Sequence, residues 1–92
     1  MAERSEHALP LLIVDDDPDI VRMLKTVLVR QHEVLTAGDG NEAFDLLQKH
    51  NVAAVLADHM MPGLTGVELL NKAYDLQPSA ARLLITASDR AN

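Results

Sequence analysis

Apolar residues along this chain follow two rhythms. Largely continuous apolar runs fall at 9–14 (LPLLIV), 33–37 (EVLTA), 52–57 (VAAVLA) and 81–87 (ARLLITA). Short runs without polar alternation suit strands covered on both faces, as in a parallel sheet. Between them the apolar positions recur at three and four residues, the spacing of a helix face. Ile20, Met23, Leu24, Val27 and Leu28 form one stripe, Ala43, Leu46 and Leu47 a second, and Val67, Leu70 and Tyr74 a third. Met23 is assigned to the core with its stripe.

The breaks between segments carry start and stop signals. Asp17 before Pro18 matches an N-cap followed by proline at the first helical position. Asp19 falls in the first turn, where the helix dipole favours a negative charge. GDGN at 38–41 reads as a turn, with Asp39 and Glu42 opening the second helix. Thr65 and Glu68 have capping-box spacing, and Pro78 with Ser79 ends the third helix after about Gln77. The resulting order, β-α-β-α-β-α-β, predicts an α/β fold with a doubly wound parallel sheet and right-handed crossovers.

Length and composition narrow the setting. Ninety-two residues make one small domain, read as 9–92 after a loose tail at 1–8. Hydrophobic residues are 48% of the chain, but with one Phe, one Tyr and no Trp the core must be aliphatic. A net charge of −6 argues against a nucleic-acid surface. The absence of cysteine rules out disulfides and thiolate chemistry and fits a cytoplasmic protein. The run LPLLIV is far short of the roughly 20 residues that span a membrane, and no secretory signal precedes it.

Chemistry concentrates where strands end. LLIVDDDPDI, residues 11–20, runs four apolar residues into Asp15, Asp16 and Asp17. Two carboxylates at 4 Å repel by roughly 4 kcal/mol at an effective dielectric near 20, so something must offset that cost. Capping accounts for Asp17 and Asp19 but leaves Asp15 and Asp16. In open parallel sheets ligands gather beyond the carboxyl ends of the strands. Asp15 and Asp16 close the first strand, Asp58 the third, and Thr86 the fourth. Hard oxygen ligands with open positions suit Mg2+, which takes one or two carboxylates, water and phosphate oxygens. A carboxylate beside such a metal can attack a phosphoryl group, and a nearby hydroxyl can donate to a phosphoryl oxygen.

LIVDDD, VLADHMMPGLTGVELL and LLITAS together resemble the response-regulator receiver domain of two-component signalling, over about residues 9–90. The resemblance implies a flavodoxin-like sheet in the order 2-1-3-4. It places Mg2+ on Asp15, Asp16 and Asp58, with the backbone carbonyl of Met60 as a further ligand. Asp58 would be the phosphoacceptor and Thr86 the switch hydroxyl. Ala87 would leave room for the phosphate, and Pro62 and Gly63 would turn the loop. Met60 and Ser88 fall where the family tunes the lifetime of the acyl phosphate. His59 reads as a loop side chain near the site, Met61 as loop, and His7, His32 and His50 as exposed. The implied partner is a histidine kinase or phosphotransfer protein, and the module signals rather than acting as an enzyme.

The resemblance also has a gap. Receiver domains continue past the fourth strand through an α-β-α unit that carries a phosphate-pairing lysine, whereas this sequence stops at Asn92. Lys25, Lys49 and Lys72 fall on predicted helices, and Arg90 is the remaining stand-in. The expectation is a truncated receiver of four strands and three helices. Its fourth strand would then be an exposed edge that drives homodimer formation. Two other readings stay open: a degenerate module acting through its surface without phosphorylation, or a fragment of a longer regulator. A hydrolase would want a second carboxylate where Met60 stands.

Overall fold

A computed structural model describes residues 8–85. Each apolar run contains a strand, and each periodic stretch between them is a helix. The order is β1 (Leu11–Val14), α1 (Pro18–Leu28), β2 (Val34–Ala37), α2 (Gly40–Lys49), β3 (Ala54–Asp58), α3 (Gly66–Leu76) and β4 (Ala81–Ile85). The first strand starts later than its apolar run because Pro10 has no N–H for the ladder. Its carbonyl is still used, accepting from Ala53 N at 2.8 Å.

The helix starts follow the chemistry of their caps. The Asp17 side chain accepts from Asp19 N, with Pro18 at the first helical position, and Asp39 accepts from Glu42 N. Thr65 and Glu68 complete a reciprocal capping box. Those bonds, first the backbone N–H of Thr65 and then its hydroxyl, hold the Glu68 carboxyl below its ordinary range.

All strands are parallel, in the order β2-β1-β3-β4. Register places Ile13, Thr36, Leu56 and Leu83 in one row, and Val14, Ala37, Ala57 and Leu84 in the next. Alternation sends these rows to opposite faces. On one face Leu12, Val14, Val55 and Ala57 pack with Ala43 and Leu47 of α2 and Leu69 and Ala73 of α3. On the other, α1 lies along β1 and β2.

That placement corrects three expectations. Met23 is 54% exposed and Val27 64%, because α1 packs only against β1 and β2 among the described elements and fully buries none of its residues. In α3 the buried residues are Gly66, Leu69 and Ala73; Val67 and Tyr74 of the expected stripe are exposed and Leu70 is half-buried. Met61 lies in a loop as expected, yet its side chain enters the core. His32 and His50 are exposed as expected, and His7 lies outside the described residues.

One side chain ties the far end of the fold together. Gln77, the C-cap of α3, donates through Nε2 to the carbonyls of Leu47 (2.8 Å) and His50 (2.7 Å). Its Oε1 accepts from Val52 N at 2.8 Å, fixing the exit of α2 and the entry to β3. Among the described residues no helix is long and apolar enough to cross a membrane.

Candidate metal and phosphoryl site

The sheet delivers two strand ends to one place. β1 and β3 are adjacent and in register, Val14 beside Ala57, so Asp15 and Asp58 emerge together at the carboxyl edge. Asp16 follows before the chain turns into α1. One carboxylate oxygen from each of Asp15, Asp16 and Asp58 lies within 4.8 Å of the others. Asp15 is 8% exposed, Asp58 half-buried and Asp16 exposed, so the cluster is walled on one side and open on the other.

Backbone groups hold this arrangement. Asp15 N donates to Ala37 O at 3.2 Å, and Asp17 N donates to Asp15 Oδ1 at 2.9 Å. Burial pushes the Asp15 carboxyl above its ordinary 3.8. The Asp17 N–H pulls it down, while the charges of Asp58, Asp16 and Asp17 add to the rise. Such a carboxylate is short of counter-charge, the condition a bound cation relieves. The donor set is all oxygen, fitting a hard divalent ion that keeps several waters.

The loop after Asp58 is built to sit close. His59 N donates to Ile85 O and Gly66 N to His59 O, both at 3.2 Å, which draws the start of α3 back onto the strand end. Gly66 permits that approach: a Cβ there would lie 2.2 Å from the carbonyl oxygen of Asp58. Gly63 turns the loop at φ +75°. The buried Met61 side chain anchors the segment, while Met60 is 72% exposed and His59 is exposed. Sequence reasoning missed Gly66 and the anchoring role of Met61. The only signal was that a capping box opens within eight residues of the acid, leaving little chain to span the distance.

A cleft of about 540 Å³ opens beside the acids, lined by Asp15, Asp16, Arg22, Lys25, Thr36 and Glu42 among others. Arg22 is held by Asp19 at 3.0 Å on the exposed face of α1. Thr86, Ala87, Ser88 and Arg90, named from the sequence for switching, phosphate room and charge, lie outside the described residues.

Known proteins share this pattern. Residues 11–92 match the family model of the response regulator receiver domain. The hydrogenase transcriptional regulatory protein HoxA of Cupriavidus necator is 35% identical over 89% of this chain, which spans 17% of that protein. The transcriptional regulatory protein SrrA of Staphylococcus aureus is 32% identical over 89% of the chain, or 34% of its own length. Among solved structures, the response regulator TrrA of Thermotoga maritima in complex with Mg(2+)-BeF superposes with a TM-score of 0.80. It is 31% identical, over 96% of this chain and 72% of that one. The chemotaxis protein CheY4 of Vibrio cholerae, 29% identical, gives a TM-score of 0.81 over 91% of this chain and 72% of its own. With strands in the order β2-β1-β3-β4 and three carboxylates at their shared end, the chain belongs to the response regulator receiver domain family.

Proposed function

We propose that this chain is a phosphoacceptor module of a two-component relay, acting in the cytoplasm and taking a phosphoryl group onto Asp58 from a histidine kinase or phosphotransfer protein. The observation that carries the reading is the convergence of Asp15, Asp16 and Asp58 within 4.8 Å at the carboxyl edge of the sheet. Family membership supports it, and so does a solved relative that is a complex with Mg(2+)-BeF.

In this reading Asp15, Asp16, Asp58 and the backbone carbonyl of Met60 would hold Mg2+. Bound there, the ion neutralises charge on the phosphoryl oxygens during transfer. A carboxylate oxygen of Asp58 attacks phosphorus, the P–N bond of the donor phosphohistidine breaks, and its electron pair stays on the imidazole nitrogen, which takes up a proton. Asp15, buried and bonded to the Asp17 N–H, keeps its orientation throughout. Gly66 and Met61 hold the loop so that Asp58 meets the donor from a fixed position. Thr86 is the proposed hydroxyl partner of the phosphoryl group, with Ala87 leaving room beside it.

The test is transfer from a phosphorylated histidine phosphotransfer protein, with and without Mg2+. The expected result is a metal-dependent label on Asp58 and none in Asp58→Asn. Equal labelling of that variant would remove Asp58 from the mechanism. A second part of the proposal is association of two copies. It is supported by β4, where Leu83 is 48% and Leu84 39% exposed on opposite faces of one strand.

A further inference from the structure

The turn from β2 into α2 touches both halves of the acidic cluster. Ala37, the last residue of β2, accepts from Asp15 N at 3.2 Å and so fixes the chain at the end of β1. Three residues on, Gly40 opens α2 and is buried against the loop that follows Asp58. A Cβ on Gly40 would stand 2.6 Å from Leu64 Cβ and 3.0 Å from the Leu64 carbonyl oxygen. Neither of those atoms moves with a change of rotamer. At this contact only glycine lets the loop rest on the helix.

The turn itself has little freedom. Asp39 accepts from Glu42 N at 2.8 Å, the Glu42 side chain accepts from Gly38 N at 2.8 Å, and Ala43 N donates to Asp39 O at 3.1 Å. The loop is held on either side of Leu64 as well. Met61 is buried in the core, Thr65 belongs to the capping box, and Gly66 lies against the Asp58 carbonyl. A push on Leu64 is therefore passed to Met61 or to the start of α3. Both bear on Asp58.

We propose that Gly40 is a positioning residue for the Asp58 site. Its missing side chain lets the 59–65 loop settle on α2, and the depth of that seat sets how far Asp58 and the Met60 carbonyl stand from an ion on Asp15 and Asp16. This deepens, and rests on, the reading of the acids as a Mg2+ and phosphoryl site. Gly40 touches neither the ion nor the phosphoryl group; it acts as a spacer. The short turn that holds Asp15 through the Ala37 carbonyl also sets the height of the loop after Asp58. It thereby keeps the acids of two strands at a separation one ion can bridge. A side chain at Gly40 would lift Leu64 by roughly 1 Å to reach ordinary van der Waals distance. A shift of that size at a reacting centre costs on the order of 100-fold in rate.

The test reads metal affinity first and chemistry second. Gly40→Ala should weaken Mg2+ binding about tenfold in a calorimetric titration with the metal alone. It should also slow labelling of Asp58 by acetyl phosphate at saturating Mg2+, by about 10- to 100-fold. Gln77→Leu is the control, since it loosens the far end of the fold without touching the loop; its folded fraction should bind Mg2+ like the natural chain. Adding Leu64→Gly to Gly40→Ala moves the Cβ across the contact, and should recover most of the affinity and rate even though a leucine is lost. Should the far-ultraviolet spectrum show that Gly40→Ala does not fold, Leu64→Ala decides. It unseats the loop with Gly40 in place and should weaken Mg2+ binding severalfold; unchanged affinity overturns the spacer.

A natural chain that binds no Mg2+ or takes no label on Asp58 overturns the functional reading and this inference with it. A natural chain that does both, beside a folded Gly40→Ala that matches it or a double variant no better than the single one, keeps the reading and overturns the spacer.

Discussion

β1 and β4 are both paired with β3, both apolar and both parallel to it, yet they live in different surroundings. Leu12, Ile13 and Val14 of β1 are 0–1% exposed, whereas Leu83 and Leu84 of β4 are 48% and 39% exposed. The difference comes from cover. β1 lies between two strands, with α1 on one face and the α2–α3 core on the other. Among the described residues β4 has one neighbouring strand, β3, and packs against one helix, α3. Among the described residues the buried apolar packing and the acidic site therefore lie towards the β1 side of β3, and the exposed apolar side chains of the sheet lie on β4.

The largest expected effect separates these halves by substitution. Leu12→Ala should cost about 3–4 kcal/mol, because a fully buried leucine leaves both a transfer loss and a cavity. Leu83→Ala, measured by urea unfolding in dilute solution, should cost less than about 1 kcal/mol. Its cost should grow with protein concentration if Leu83 lies at a seam between copies. Equal costs for both leucines in dilute solution would mean that β4 is as well covered as β1.

The next effect lies on the β1–β3 side and in the clasp that serves it. Gln77→Leu strips two carbonyls and the Val52 N–H of their partners and should cost about 2 kcal/mol. Gly66→Ala should cost a similar amount, about 2 kcal/mol, by pushing the start of α3 away from the Asp58 carbonyl. The two should differ in function. Gly66→Ala should also slow phosphorylation of Asp58, while Gln77→Leu, at the opposite end of the sheet, should leave it unchanged in the folded fraction.

How far these halves were legible in the sequence follows the same division. Caps and strand ends were readable, because Asp17–Pro18, Asp39–Glu42 and Thr65–Glu68 act on the backbone within a few residues. The acids were readable because Asp15 and Asp58 each directly follow an apolar run, with Asp16 next to Asp15. Strand order was not; it came with the family resemblance, since periodicity says nothing about which strands touch. Met23 shows the general failure: its spacing puts it on an apolar stripe, but burial depends on what lies across from that stripe. Gln77 was invisible for another reason. A glutamine after a helix carries no local signal that its amide reaches residues 25 to 30 positions away.

A smaller effect turns on Asp15, whose carboxyl sits above its ordinary 3.8 mainly because it is buried. A group with a raised folded value favours the fold fully below 3.8, and that contribution is lost as pH rises through the folded value. Without metal, Asp15→Asn should therefore be more stable than the natural chain at neutral pH, by on the order of 1 kcal/mol. The two should converge near or below pH 3.8. Saturating Mg2+ should reverse the order, since only the natural chain gains the binding free energy. If the variant is the less stable protein in chelator at neutral pH, the acidic cluster is not the strained, metal-ready arrangement described.

The central claim is that the acids at the β1–β3 edge form a phosphoacceptor site with Asp58 as its nucleophile. The most direct measurement is intact mass after incubation with acetyl phosphate and Mg2+, for the natural chain and for Asp58→Ala. The account predicts one added phosphoryl group in the natural chain, not formed when chelator is present during the incubation and absent from the variant. A mass gain that persists in Asp58→Ala, or that is indifferent to Mg2+, would contradict it.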